Sequence, residues 1–139
     1  MENKYPEIER RKFQRAPVNF NVYYRADLPF VIRIQVGDKE FEALAADIGE
    51  DGMALLTEQE IPSEESVKVK FNLINEQALT SENRIRAMEI QASVRYKIFV
   101  KEKNAFRMGL QFINVSSSDH SFIAHFVELT TKGWRPPRR

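Results

Sequence analysis

Arg10-Arg11-Lys12-Phe13-Gln14-Arg15 places four cationic side chains in six residues, with Arg11 and Arg15 four apart. Guanidinium forks suit phosphate oxygens, which they bind two bonds at a time, and they also stack flat on purine faces. A second stretch, Asp47-Ile48-Gly49-Glu50-Asp51-Gly52, supplies the complementary groups. An aspartate accepts hydrogen bonds from the donor edge of a guanine. A glycine lets a flat ligand approach the backbone closely. Together the two stretches describe a site for an anionic guanine nucleotide. Neither half is specific alone, because a basic run is commonly a solvated segment and a short DxGxxG is a common acidic turn.

Other chemistries find less support. His120 and His125 are five apart and have no cysteine beside them, which is not metal-ligand spacing on one helix face. Ser116, Ser117 and Ser118 lie outside any Gly-x-Ser-x-Gly elbow and read as helix caps. The acidic pairs Glu50-Asp51 and Glu64-Glu65 fall in turns, where solvation explains them. Nothing pairs a nucleophile with its base, so an enzyme is the least supported class.

The elements that must position these residues are mostly short strands. Residues 1–9 are an aperiodic tail, and Pro17 holds Ala16 extended after the arginine segment. Val18, Phe20, Val22 and Tyr24 alternate as a half-buried strand requires. A second strand is expected at 30–36, a hairpin turn at Gly37-Asp38 and a return strand carrying Phe41, Ala43 and Ala45. Residues 47–52 then form a turn before a short strand at 53–56. Val67, Val69, Phe71 and Leu73 give the cleanest alternation, and further strands are expected at 85–99, with a bend, and at 106–115. Phe122, Ile123, Phe126, Val127 and Thr130 recur at helical spacing after the serine cap, with Gly133 as a stop. Many short strands separated by turns mean a barrel or a sandwich.

The 139 residues suffice for one domain with a real core, and 42% hydrophobic with 29% charged content is ordinary for a soluble protein. No apolar run reaches a membrane span and the N-terminus lacks the apolar core of a signal peptide, so the expected compartment is the cytoplasm. Zero cysteines exclude disulfides and thiolate sites. A net charge of +1 argues against a general polyanion binder, so nucleic acid is not the expected partner.

The arginine segment followed by the acidic glycine turn resembles the PilZ family, bacterial receptors for cyclic di-GMP. That family carries RxxxR, here Arg11-Lys12-Phe13-Gln14-Arg15 preceded by Arg10, and then [D/N]xSxxG, here Asp47 to Gly52 with Gly49 at the serine position. Met108-Gly109-Leu110-Gln111-Phe112-Ile113-Asn114-Val115 before a helix is similar to the family's closing elements, so the likeness spans residues 10–129. The resemblance implies a mainly β fold, a six- to seven-stranded antiparallel barrel of the split-barrel type with a C-terminal α-helix. It divides the chain into a tail (1–9), one domain (10–131) and a basic, proline-rich tail (132–139) that includes Trp134.

The resemblance also implies roles. Arg11 and Arg15 would pair with phosphates and stack on guanine in a loop that is mobile when empty and folds over the ligand. Arg10 would add a stacking plane for an intercalated ligand dimer. Asp47 would accept from guanine, and Gly52 would let the chain pass under the base. Gly49 forgoes a hydroxyl contact worth about 0.5–1.5 kcal/mol, a loss that weakens a site without abolishing it. The implied function is a non-catalytic cyclic di-GMP receptor, without a further cofactor, that signals through an effector protein in motility or biofilm regulation. Two alternatives remain at this stage: a related adaptor that no longer binds nucleotide, supported if Arg11 and Arg15 are taken up by protein contacts, and a nucleic-acid-binding small barrel.

Overall fold

A computed structural model of the chain describes residues 13–26, 40–58, 66–75 and 84–133. Six strands, β1 (Arg15–Ala26), β2 (Glu40–Gly49), β3 (Gly52–Thr57), β4 (Ser66–Ile74), β5 (Ile85–Val100) and β6 (Ala105–Ile113), precede one helix, α1 (Ser117–Gly133). The strands close into an antiparallel barrel in the order β1-β2-β3-β6-β5-β4, with β4 pairing back on β1. The expected strand at 30–36, its Gly37-Asp38 turn, Arg10, Arg11 and Trp134 all lie outside the described residues.

Alternation builds the interior. On β4, Val67, Val69, Phe71 and Leu73 are buried while Lys70 and Asn72 point to solvent. Val22 and Tyr24 from β1, Ala43 and Ala45 from β2, and Met53 and Leu55 from β3 join them, with Met108 and Leu110 from β6. Among the described residues, β4 closes the barrel on β1 through Tyr23 to Ala26, which limits the exposed sheet edge that is the usual liability of a small β protein.

The pairing register slips at three places among the described residues: between Pro17 and Phe20 on β1, and at two more that shape the outer wall. Ala45 pairs with Leu55 but Asp47 pairs with Ala54, so Ala46 is an extra residue on β2. On β5, Val94 pairs with Leu110 and Tyr96 with Gly109, so Arg95 is extra. Each bulge turns the following residue onto the other face. Asp47 and Tyr96 are thereby aimed outward, where an unbroken strand would send both into the core. They meet in one row of paired residues on the outer wall: Pro17, Asp47, Ala54, Gly109 and Tyr96, contributed in turn by β1, β2, β3, β6 and β5.

The helix closes the domain. Asn114, with φ of 56°, ends β6 in the left-handed region, and the Asp119 amide donates to Ser116 Oγ at 3.1 Å, capping the first turn. Ile123, Phe126 and Val127 are buried, placing the apolar stripe against the barrel beside β1 and β2. Arg86 of β5 pins the N-terminal turn, donating to Asp119 Oδ1 at 2.7 Å and to Ser118 Oγ at 3.0 Å. No helix among the described residues is long and apolar enough to cross a membrane.

One polar pair sits inside. The hydroxyls of Tyr24 and Thr57, both buried, are 2.6 Å apart. Burial raises the Tyr24 pKa above the ordinary 10.0, against the opposing pull of the Thr57 bond. Above about pH 10 the unfolded chain therefore loses this proton while the fold keeps it, and stability falls as pH rises. Thr57→Val is expected to cost about 1–3 kcal/mol in denaturant unfolding at neutral pH, because the Tyr24 hydroxyl then loses its buried partner. Tyr24→Phe should flatten the alkaline decline relative to the parent chain.

Candidate functional site

The bulge at Ala46 presents Asp47 on the outer wall, and two guanidiniums converge on it. Arg15 Nη1 donates to Asp47 Oδ1 and Arg107 Nη2 donates to Asp47 Oδ2, each at 3.0 Å. Arg15 is the first residue of β1 and Arg107 the third of β6. The Arg15 and Asp47 side chains are only 12% and 14% exposed, so this pair is shielded from the screening that weakens surface ion pairs.

Arg15 Nε also lies 3.4 Å from Asp51 Oδ1, close enough for attraction, but neither atom makes a hydrogen bond although both are buried. Two guanidiniums and two carboxylates thus balance, and the described part of the site carries no net charge. In sequence, Arg10, Arg11 and Lys12 precede Arg15 by a few residues and add three positive charges to that segment.

Two glycines form the floor under Arg15. A Cβ on Gly52 would stand 2.0 Å from the Leu110 carbonyl oxygen and 3.1 Å from Arg15 Nη2, so only glycine lets β3, β6 and the arginine meet. At Gly49 a Cβ would stand 2.9 Å from the Gln14 carbonyl oxygen and 3.0 Å from Arg15 Cγ. The missing serine is therefore more than a lost hydroxyl contact. Its absence lets the Gln14-Arg15 backbone lie against β2.

The expected 47–52 turn is shorter than the sequence suggested. β2 runs through Gly49 and β3 starts at Gly52, facing it, so the turn itself is Glu50-Asp51. Asp47 consequently sits within a strand, held by pairing on both sides. His120 Nε2 lies 3.2 Å from Glu50 Oε1 and ties the first turn of α1 to the hairpin tip.

Of the residues expected at the site, Arg15, Asp47, Gly49 and Gly52 come together, while Arg10 and Arg11 lie outside the described residues. Arg107 and Tyr96 were missed. Arg107 donates to Asp47, and Tyr96 is the other side chain that acts on its charge. Burial favours the neutral guanidine, but Tyr96 and the Asp47 charge outweigh it, and the Arg107 pKa stands above the ordinary arginine value. A signal existed in the alternation of β6, which sends Met108 and Leu110 inward and Arg107 outward. The partner across the wall could not be read, because β3 and β6 pair without being consecutive.

The comparisons with known proteins agree with this architecture. The sequence matches the PilZ domain over residues 9–129. No match is found among curated protein sequences. Among solved structures, the fold is similar to that of the Bacillus subtilis inhibitor of motility MotI/DgrA, with a TM-score of 0.73, 18% identity, and coverage of 91% of this chain and 54% of that protein. It is similar to the PilZ domain of Escherichia coli YcgR with c-di-GMP, with a TM-score of 0.55, 13% identity, and coverage of 89% and 93%. The K. pneumonia MrkH-c-di-GMP complex follows the same pattern, with a TM-score of 0.61, 14% identity, and coverage of 89% and 53%. The chain thus spans about half the length of MotI/DgrA and MrkH and nearly all of the YcgR domain. The match over 9–129, together with a closed six-stranded barrel capped by one helix, makes this chain a member of the PilZ domain family.

Proposed function

We propose that the chain is a cytoplasmic receptor for cyclic di-GMP whose site comprises Arg10, Arg11, Arg15, Asp47, Gly49 and Gly52. The observation that carries this reading is the meeting of Arg15 with Asp47 over Gly52, since residues 32 apart in sequence join the two halves of the motif on the outer wall. The YcgR and MrkH structures with c-di-GMP lend support from the same fold.

Binding would proceed by exchange. The ligand's two phosphates draw Arg15, with Arg10 and Arg11, away from the carboxylates. Asp47 then has a free oxygen for the donor edge of guanine. The arginine segment orders over the ligand as its charges are neutralised, and the N-terminal region presents a changed surface to an effector protein. Motility, the process named for MotI/DgrA, is the first place to look for that effector.

One observation favours a second reading. Arg15 is already engaged by Asp47 and lies beside Asp51, as it would be in an adaptor that no longer takes nucleotide. Calorimetric titration with cyclic di-GMP, with GTP as control, separates the two. Selective micromolar or tighter binding is expected for the receptor, with close to two ligands per chain if Arg10 supports an intercalated dimer. No heat and no thermal shift would select the adaptor.

Two variants test the assignment. Arg15→Ala should remove measurable binding while circular dichroism shows an intact barrel; unchanged affinity would take Arg15 out of the site. Gly49→Ser should push Gln14 and Arg15 off β2, lowering the melting temperature without ligand while affinity holds or rises. A large loss of affinity there would mean that the second motif is wrongly placed.

A further inference from the structure

Asp47 must stay usable once Arg15 has left it. A carboxylate whose partner departs is free to rotate, to bind water or to recapture the departing guanidinium, and each outcome competes with guanine. Arg107 removes that freedom. It holds Oδ2, the oxygen that Arg15 does not use. It also stands on β6 between β3 and β5, paired on both sides, whereas Arg15 opens β1 directly after the arginine segment.

The wall around Arg107 is built to keep it there. Arg107 pairs with Leu56, yet it reaches Asp47, two strands away, across β3. The β3 residue paired with Asp47 is Ala54, whose methyl leaves the guanidinium room to cross. Ala54 is fully buried although its row faces outward, so side chains lie over it. On the far side, the Tyr96 ring fills the space that a side chain at Gly109 would occupy, with its Cε2 only 2.0 Å from that Cβ position. Tyr96 therefore stands in a fixed seat over Gly109, two residues along β6 from Arg107, and the bulge at Arg95 is what turns it to this face.

We infer that Arg107 is the positioning residue that holds Asp47 aimed at guanine while Arg15 transfers to the ligand phosphates. The inference rests on the receptor reading above and adds to it how the site separates guanine recognition from phosphate recognition. Arg15 moves with the ligand. Arg107 stays with the wall.

The test compares cyclic di-GMP with its inosine analogue, which lacks the guanine N2 amino group, by calorimetry on the full chain. The parent protein should prefer the guanine form. Arg107→Met should lose about tenfold or more in affinity for cyclic di-GMP, the scale of one charge-assisted bond, and should lose most of that preference as well. Arg107→Lys should recover part of both, since it restores the charge without the fork. Tyr96→Phe keeps the ring over Gly109 and removes only the hydroxyl, so it should shift affinity and preference in the same direction by less. Arg107→Lys decides the matter if Arg107→Met does not fold. Equal losses for both ligands would mean that Arg107 only maintains the barrel and would overturn the inference, as would unchanged preference in the two Arg107 variants and Tyr96→Phe. Absence of any binding by the parent protein would overturn the receptor reading and the inference together.

Discussion

A strand with a period of two cannot keep Ala45 in the core and also send Asp47 to the surface. The extra residue at Ala46 resolves this conflict, and the arrangement of the outer wall depends on it. Ile48 returns to the interior as the next core residue, so one slip exposes a carboxylate without breaking the packing around it. A further slip at Arg95 does the same for Tyr96 three strands away along the wall. Because the barrel is closed, neither strand can relax by shifting its register without disturbing both neighbours. The slips are held as firmly as the core that surrounds them.

The wall between them is made of what is missing. Gly52 and Gly109 have no side chain and Ala54 has only a methyl. Long polar groups therefore lie over the sheet, and Arg107 reaches Asp47 across β3. Arg15 and Arg107 come to the same carboxylate from opposite directions, and each keeps a separate oxygen. Such a shared carboxylate suits reversible exchange, since one partner can leave while the other keeps its own oxygen.

The sequence shows a good part of this and conceals the rest for definite reasons. The alternation of Val67, Val69, Phe71 and Leu73, and the helical spacing of Phe122, Ile123, Phe126 and Val127, reflect burial on one face, and the fold has both where they were expected. Arg15, Asp47, Gly49 and Gly52 were legible because a motif joined them. The hairpin was placed too broadly because a bulge inside β2 looks like the start of a turn: Asp47 breaks the apolar alternation two residues before the chain reverses. Arg107 and Tyr96 stayed hidden because their significance lies in pairing between strands that are distant in sequence. A local pattern carries no record of that register.

The two bonds at Asp47 span 32 and 60 residues of chain. The first needs only neighbouring strands, but the second exists only after β6 has inserted between β3 and β5. During synthesis the chain can complete the arginine segment, both glycines and Asp47 long before Arg107 emerges, and these groups are then a motif without a wall. Non-local pairings of this kind form late, after the entropy of closing long loops has been overcome. The complete constellation is thus a property of the finished barrel, and any ligand that requires it discriminates between a folded chain and one still being made.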